Sequence, residues 1–514
     1  MLSWLKGDKV DHPLADAKAA KKIVEDFPYK DSWKTLEDAN YWLGSVNETA
    51  GFKIERRFEI IDLLDQATRK AQDRLLETYL TLPENDRVQE KRIWKTVADY
   101  WKLLGDGYLL CVDQARELKN VPNKFKPQLP MLAARTTRAL RLQMKWVLMR
   151  YGVVRSSLWG EFSRCTLLAE AAGMVEKLIE MYPGVKEPSS QSYELLRAMM
   201  LWAASPNGLS PVEQDIADRL VVKLTPQFRI DSKPWEGCDY YFDLAALRPP
   251  LRLTRSTPVS EVTRYFDAGE AREAVQIMLS QVSRTGNIPS GLSLGSVADG
   301  PTAARVLKHL GVNWAKEMPE RAFERCRTAL ILQVVHGYQN ILGIIEPDFR
   351  EAAEPVDPAA QDSWVAEDAS TGGYGLVVPA GKGEWLRVGA LVALHSEMEA
   401  AWQLGVIRRV KSDEYRQYRI GVQLISKLPV PVHLRSLSGV KNASKPQHAI
   451  LLSARASPNG GMHVVARRDM FAGQEPIEAM FGKPAATCVM QPGGMVESGY
   501  DFDWLRYKLS ESIA

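Results

Sequence analysis

The chain has 514 residues, of which 45% are hydrophobic and 25% charged. That is the composition of ordinary folded globular domains, and the length suits roughly two to four of them. The 66 basic and 63 acidic residues leave a net charge of +3, which excludes a chain-wide footprint for a polyanion; no DNA or RNA partner is expected, and any anion site must be local.

No apolar run approaches the roughly 18 residues of a membrane helix, so no membrane insertion is expected. The first residues, MLSWLKGDKVDHPL, carry charges where a signal peptide needs its apolar core. They read as a loose lead-in, or as a short docking strip through Trp4 and Leu5. Five cysteines lie at 111, 165, 238, 326 and 488, with no Cys-x-x-Cys pair. An odd number at wide spacing predicts reduced thiols packed as small apolar side chains, hence a cytoplasmic protein.

Residues 1–230 read as an all-α region, a helical bundle or array. Ile54, Phe58, Ile61, Leu64, Ala71, Leu75 and Tyr79 follow three-and-four spacing and predict a helix that Pro83 ends. Trp94, Val97, Trp101, Leu104 and Tyr108 mark the next. After Pro122, Pro127 and Pro130, a stripe of Leu132, Thr136, Leu140, Met144, Val147 and Tyr151 predicts a long helix. Arginines 135, 138, 141 and 150 interleave with it, and are expected on a solvated face; an acidic partner surface is the alternative. Further helices are predicted over 159–182, 192–204 and 211–224. Ser210-Pro211-Val212-Glu213 has the cap, the proline and the glutamate of a helix start. No repeat period is evident.

Residues 231–316 read as a mixed connector. Tyr240–Leu244 and Leu251–Thr254 suggest a strand pair, helices are predicted over 259–283 and 301–310, and Gly286 to Gly300 is a flexible link. Next come Arg321-Ala-Phe-Glu-Arg325, Cys326-Arg327 and the apolar run Ala329 to Val335, ending at His336-Gly337. This stretch fits the start of a strand, or one amphipathic helix from Arg321 to Ile344. Glu346 to Ser363 is rich in Pro, Ala and acidic residues, and predicts a loop or lid.

Trp364 to Pro379, WVAEDASTGGYGLVVP, reads as strand, turn, strand. Asp and Ser side chains bond nearby backbone in turns, and Gly supplies positive φ or room for a ligand near the main chain. Strand-like runs follow at 385–394, 402–410, 418–425 and 430–434. Leu404, Val406 and Val410 alternate with Gly405, Ile407 and Arg409; Ile420, Val422 and Leu424 alternate with Arg419, Gly421 and Gln423. Period two marks strands with one buried face, and a succession of them suggests a small antiparallel barrel. The last part, 436–514, mixes strand-like His463–Ala466 and Ala486–Met490 with many Gly and Pro, and predicts a small β-rich C-terminal extension.

The spacing Asp368-x-Ser370-x-x-Gly373 between strands resembles the signature loop of the PilZ domain, the bacterial receptor module for cyclic di-GMP. Arg321-x-x-x-Arg325 resembles the arginine pair that precedes the first strand of that family. Leu386-Arg-Val-Gly, Leu404-Gly-Val-Ile-Arg-Arg-Val and Arg419-Ile-Gly-Val-Gln resemble its later strands. The resemblance covers roughly residues 317–435 and implies a PilZ-like β-barrel there; with the helical region before it and the β-rich extension after it, the chain reads as multidomain α+β. It implies a cyclic di-GMP-binding effector whose ligand meets Arg321, Arg325, Asp368, Ser370 and Gly373, with the helical region engaging a protein partner. The alternative is a PilZ fold that no longer takes the nucleotide and serves as a docking module.

The chemistry suits these residue types. Cyclic di-GMP carries two guanines and two phosphates. A guanidinium fork matches guanine O6 and N7 or stacks on a base face. Asp368 can accept from guanine N–H groups, and Ser370 can serve a phosphate or base edge. No nucleophile or base for turnover stands among them, so no enzyme and no cofactor is expected. His-Glu-x-x-His, Cys/His metal spacing and Gly-x-Ser-x-Gly are absent, and the seven histidines are scattered, so no metal is expected. Gly375 to Lys382 has five residues between its glycines where a P-loop has four.

Overall fold

The structure, a computed structural model, describes residues 10–510 except 84–85, 119–120, 258–259, 318–319, 321–322, 347–356, 384, 400, 416, 438–445, 453–460, 472–474 and 483–485. It divides into two compact units, Met1–Pro319 and Glu320–Ala514. Among the described residues, no helix is long and apolar enough to cross a membrane.

The first unit opens with α1 (Ala17–Glu25), α2 (Ser32–Glu48), α3 (Ile54–Thr81), α4 (Arg87–Glu117), α5 (Leu129–Leu148), α6 (Ser156–Ala171), α7 (Gln191–Ala203) and α8 (Pro211–Leu224). The expected stripes are buried: Phe58, Ile61, Leu64, Leu75 and Tyr79 of α3 pack against Val97, Tyr100, Trp101 and Leu104 of α4. Ser210 and Glu213 close a reciprocal capping box at the start of α8.

The arginines of α5 are not a solvated face. α4, α6 and α7 all pack on this helix, and Arg135, Arg141 and Lys145 are buried, so their charges are met inside the protein. Lys145 Nζ bonds Asp215 Oδ1 at 2.6 Å and Asp218 Oδ2 at 2.9 Å, and Arg141 pairs with Asp218 and Glu194. Arg135 reaches Asp62 and donates to the Met181 carbonyl. Arg138 donates to Tyr182 Oη at 2.8 Å, and Arg150 lies over the Trp94 ring. Buried charges persist only when paired in this way.

Residues beyond α8 complete this unit. β1 (Arg229–Asp231), β2 (Tyr240–Asp243), β3 (Leu251–Arg252) and β4 (Thr263–Asp267) form an antiparallel sheet in the order β1-β4-β2-β3, followed by α9 (Ala271–Thr285) and α10 (Gly300–Asn313). Two helix predictions are shortened here. The segment expected as helix over 259–283 begins with β4, because Tyr265 and Phe266 are wholly buried beside the aromatic residues of β2. The helix expected to Tyr182 ends at Ala171. Phe228, Tyr240, Phe242, Phe266, Val275 and Trp314 share one core with α7 and α8, so the expected connector is packed on the helices.

The second unit contains two closed barrels. The first uses β5 (Cys326–His336), β6 (Gln361–Ser370), β7 (Gly373–Val378), β8 (Leu391–His395), β9 (Gln403–Ser412) and β10 (Tyr418–Ser426), in the order β10-β7-β6-β5-β8-β9. Closure pairs every strand on both sides and leaves no open edge. The alternative of one helix over 321–344 is excluded: Cys326–His336 is strand, and only α11 (Tyr338–Ile345) is helical. The strand expected over 385–394 is only Leu391–His395. Its first part folds back instead, with Trp385 stacked on His336 at 3.8 Å and on Trp364 at 5.7 Å.

The expected C-terminal extension is a barrel in its own right. It contains β11 (Val430–Ser436), β12 (Gln447–Leu452), β13 (Gly461–Arg467), β14 (Ile477–Phe481), β15 (Ala486–Ser498) and β16 (Phe502–Leu509), in the order β11-β12-β13-β16-β15-β14. The strand expected over 430–434 as part of the first barrel therefore opens the second: it pairs with β12 and β14. α11 joins the two barrels. Its Tyr338, Ile341 and Leu342 pack with Leu391, Ala393 and Leu404 of the first, and with Ile450, Leu452 and Phe502 of the second.

Candidate functional site

The Asp-Ser stretch sits at the tip of the β6–β7 hairpin. Asp368 and Ser370 are the last residues of β6 rather than parts of a loop; Ser370 pairs with Gly373 across a turn made of Thr371 and Gly372 alone. Ser370 Oγ accepts from the Gly372 N–H and donates to the Gly373 carbonyl, each at 3.3 Å. This is the local side-chain-to-backbone bonding that fits Ser to a tight turn.

Arg325 immediately precedes β5, whose Arg327 pairs with Asp368 on β6. That register sets the guanidinium against the hairpin tip. Arg325 Nη1 donates to Asp368 Oδ1 at 2.6 Å, and the two side chains are 38% and 33% exposed. An arginine fork and a carboxylate are thus side by side and open to solvent. Arg321, the other arginine of the pair, lies outside the described residues, as do residues 347–356 of the expected acidic loop. The loop's described ends are ordered differently from the expectation: Glu346 is buried, Pro358–Ala360 form one helical turn and β6 begins at Gln361.

Three residues complete the tip that motif spacing did not single out. A Cβ on Gly372 would stand 2.6 Å from the Phe323 ring, and a Cβ on Gly375 would stand 2.6 Å from Asp368 Oδ1. So Phe323 lies over Gly372, and the Asp368 carboxylate lies over Gly375, its cross-strand partner. The signal was the third glycine, two residues past the motif, and the aromatic between the two arginines. Gly373 also has a reason within the barrel. Its φ is +156°, and a Cβ there would collide with the Val422 carbonyl of β10; the close approach it permits is that of a neighbouring strand. Chemically the tip offers a guanidinium, a carboxylate, a hydroxyl and an exposed ring, which can bind and orient a polar planar molecule.

The family model of the N-terminal domain of the cyclic-di-GMP receptor FimW matches residues 18–234, and the model of that receptor's middle PilZ domain matches residues 350–431. No curated protein matches the chain. The first match covers α1 to α8 and the second covers β6 to β10, including Asp368, Ser370 and Gly373. With both domains present in the same order, the first barrel is a PilZ domain and the chain belongs to this family of cyclic di-GMP receptors.

Proposed function

We propose that the protein is a cytoplasmic effector that binds cyclic di-GMP through Arg321, Arg325, Asp368, Ser370 and Gly373, and that its helical region passes the signal to a protein partner. The observation that carries the ligand site is the Arg325–Asp368 pair at the hairpin tip. The guanidinium is tethered at one nitrogen, and its fork remains available for the O6 and N7 edge of a guanine. Asp368 can then accept from guanine N–H groups, and Phe323 offers a flat apolar face beside them. The site binds and does not turn its ligand over, since its described residues hold no base aimed at a nucleophile. It needs no cofactor.

The working division is the helical region with its sheet to about residue 319, the receptor barrel to 429 and the second barrel from 430. A partner for the helical region is inferred from architecture: the receptor site uses only the second unit, and the first holds most of the chain. Calorimetric titration of the full chain with cyclic di-GMP tests the ligand. One equivalent bound, with Arg325→Ala weakening it, supports the receptor reading. A folded chain that takes no cyclic di-GMP is a docking module instead.

A further inference from the structure

His433 on β11 and His448 on β12 are directly opposed cross-strand partners. Their neighbours Val432, Leu434, Ala449 and Leu451 fill the core of the second barrel. Strand alternation therefore places both imidazoles on the barrel's outer face, where their ring centroids are 4.5 Å apart. α11 packs on this same face through Ile450 and Leu452. The helix delivers Glu346 at its C-terminal end, where the Glu346 N–H bonds the Leu342 carbonyl. The Glu346 side chain is only 3% exposed, and its Oε2 lies 3.2 Å from His448 Nδ1. Its other oxygen, Oε1, is buried with no hydrogen-bond partner among the described residues. One donor atom from each of the three residues lies within 4.8 Å of the others.

This placement is costly for the apo-protein. A buried carboxylate oxygen without a donor forfeits its hydration. The C-terminal end of a helix adds negative partial charge beside it, where a cation is favoured and a carboxylate is not. A bound cation relieves both. Two imidazoles and a carboxylate are a donor set that zinc and related divalent transition metals accept, with water in the remaining position. Metal–ligand bonds of about 2.0–2.1 Å put tetrahedral donors roughly 3.4 Å apart, so closing the present cluster needs only side-chain rotation.

We propose that Glu346, His433 and His448 form a binding site for a divalent transition-metal ion of the zinc class. The ion would fasten the end of α11 to β11 and β12, and so fix the point from which the chain sets out towards β6 and Asp368. Sequence spacing conceals the site: residues 433 and 448 meet only through strand pairing, and 346 only through the packing of a helix.

The test uses the untagged full chain, stripped with a chelator and titrated with Co2+ and then Zn2+. One equivalent of Co2+ should bind with visible d–d absorption, and Zn2+ should displace it. Glu346→Gln and His448→Ala should each weaken binding by more than the roughly tenfold that losing even an outer-shell partner can cost. If Glu346→Gln does not fold, His433→Gln carries the same comparison from a partly exposed strand position. Absence of stoichiometric binding overturns the proposal and leaves Glu346 and His448 as a hydrogen-bonded pair. Binding that survives His433→Ala/His448→Ala in a folded chain places the metal elsewhere and overturns it equally.

Discussion

Removing Arg325 separates a binding role from a structural one. Among the described residues its guanidinium makes one bond, of 2.6 Å to a carboxylate, and both groups are about a third exposed. An ion pair of that exposure contributes about 0.2–1 kcal/mol, so Arg325→Ala should lower the melting temperature by no more than about 4 °C. The lost affinity should be larger. A bidentate arginine–guanine contact is worth roughly 1–3 kcal/mol, or about a five- to 150-fold rise in Kd. Arg325→Lys should not restore it, because an ammonium lacks the planar fork. Asp368→Ala should also weaken binding, although bulk charge alone would make an anion bind more tightly. Part of its effect should run through the arginine it holds, so in an Arg325→Ala background the same change should cost less. Calorimetry at one fixed salt concentration measures all four corners of the cycle. An Arg325→Ala chain that binds as wild type, or an Asp368→Ala chain that binds more tightly, would refute the assignment.

Gly375→Ala should reproduce the affinity loss of Asp368→Ala, since its new methyl displaces the carboxylate; the same titration checks it. In the helical unit, burial alone would raise the Asp218 pKa, but Arg141 and Lys145 outweigh it and hold the carboxyl at about 2. Its folded value is then below the unfolded value, so its stabilisation is complete above about pH 4 and lost as pH falls towards 2. Melting curves across that window should fall in the wild type and flatten in Asp218→Asn. That variant starts about 3–5 kcal/mol lower, because it leaves buried cations underpaired. Residues 320–514 should fold alone, whereas a fragment ending at Pro429 should be less stable and bind a hydrophobic dye, because it uncovers Tyr338, Ile341 and Leu342. Within the whole unit, Ile341→Ala should cost about 2–5 kcal/mol in urea unfolding.

The elements of the receptor barrel were legible because one face of each strand is apolar. Ile420 and Val422 are buried where alternation places them, and so are Leu404, Val406 and Val410. Ile407 breaks the pattern: it is buried although it was expected to face out. The β9–β10 ladder shifts register at Arg408, so Ile407 stands opposite the buried Val422, and periodicity carries no information about a bulge. The same blindness misplaced the α5 arginines, since a stripe of charge looks alike whether it meets water or the carboxylates of α8. The second barrel was illegible as a barrel because its strands are interrupted by Gly and Pro, and only long-range pairing assigns β11 to it. The Arg325–Asp368 contact joins residues 43 apart. The motifs named both partners, but their meeting depends on the β5–β6 register.

Cys326, next to Arg325, sets the terms on which the hairpin tip can be watched. It pairs across the ladder with Ala369, between Asp368 and Ser370, and it is exposed. Burial pushes the thiols of Cys111, Cys165 and Cys238 up to about 12, 11 and 11, and raises that of Cys488, so few of their thiolates form at neutral pH. An alkylating dye should therefore react with the native chain first at one place, beside the ligand arginine. Nature has left a single chemical handle on the receptor face, and the rate at which it is modified reports on whatever occupies that face.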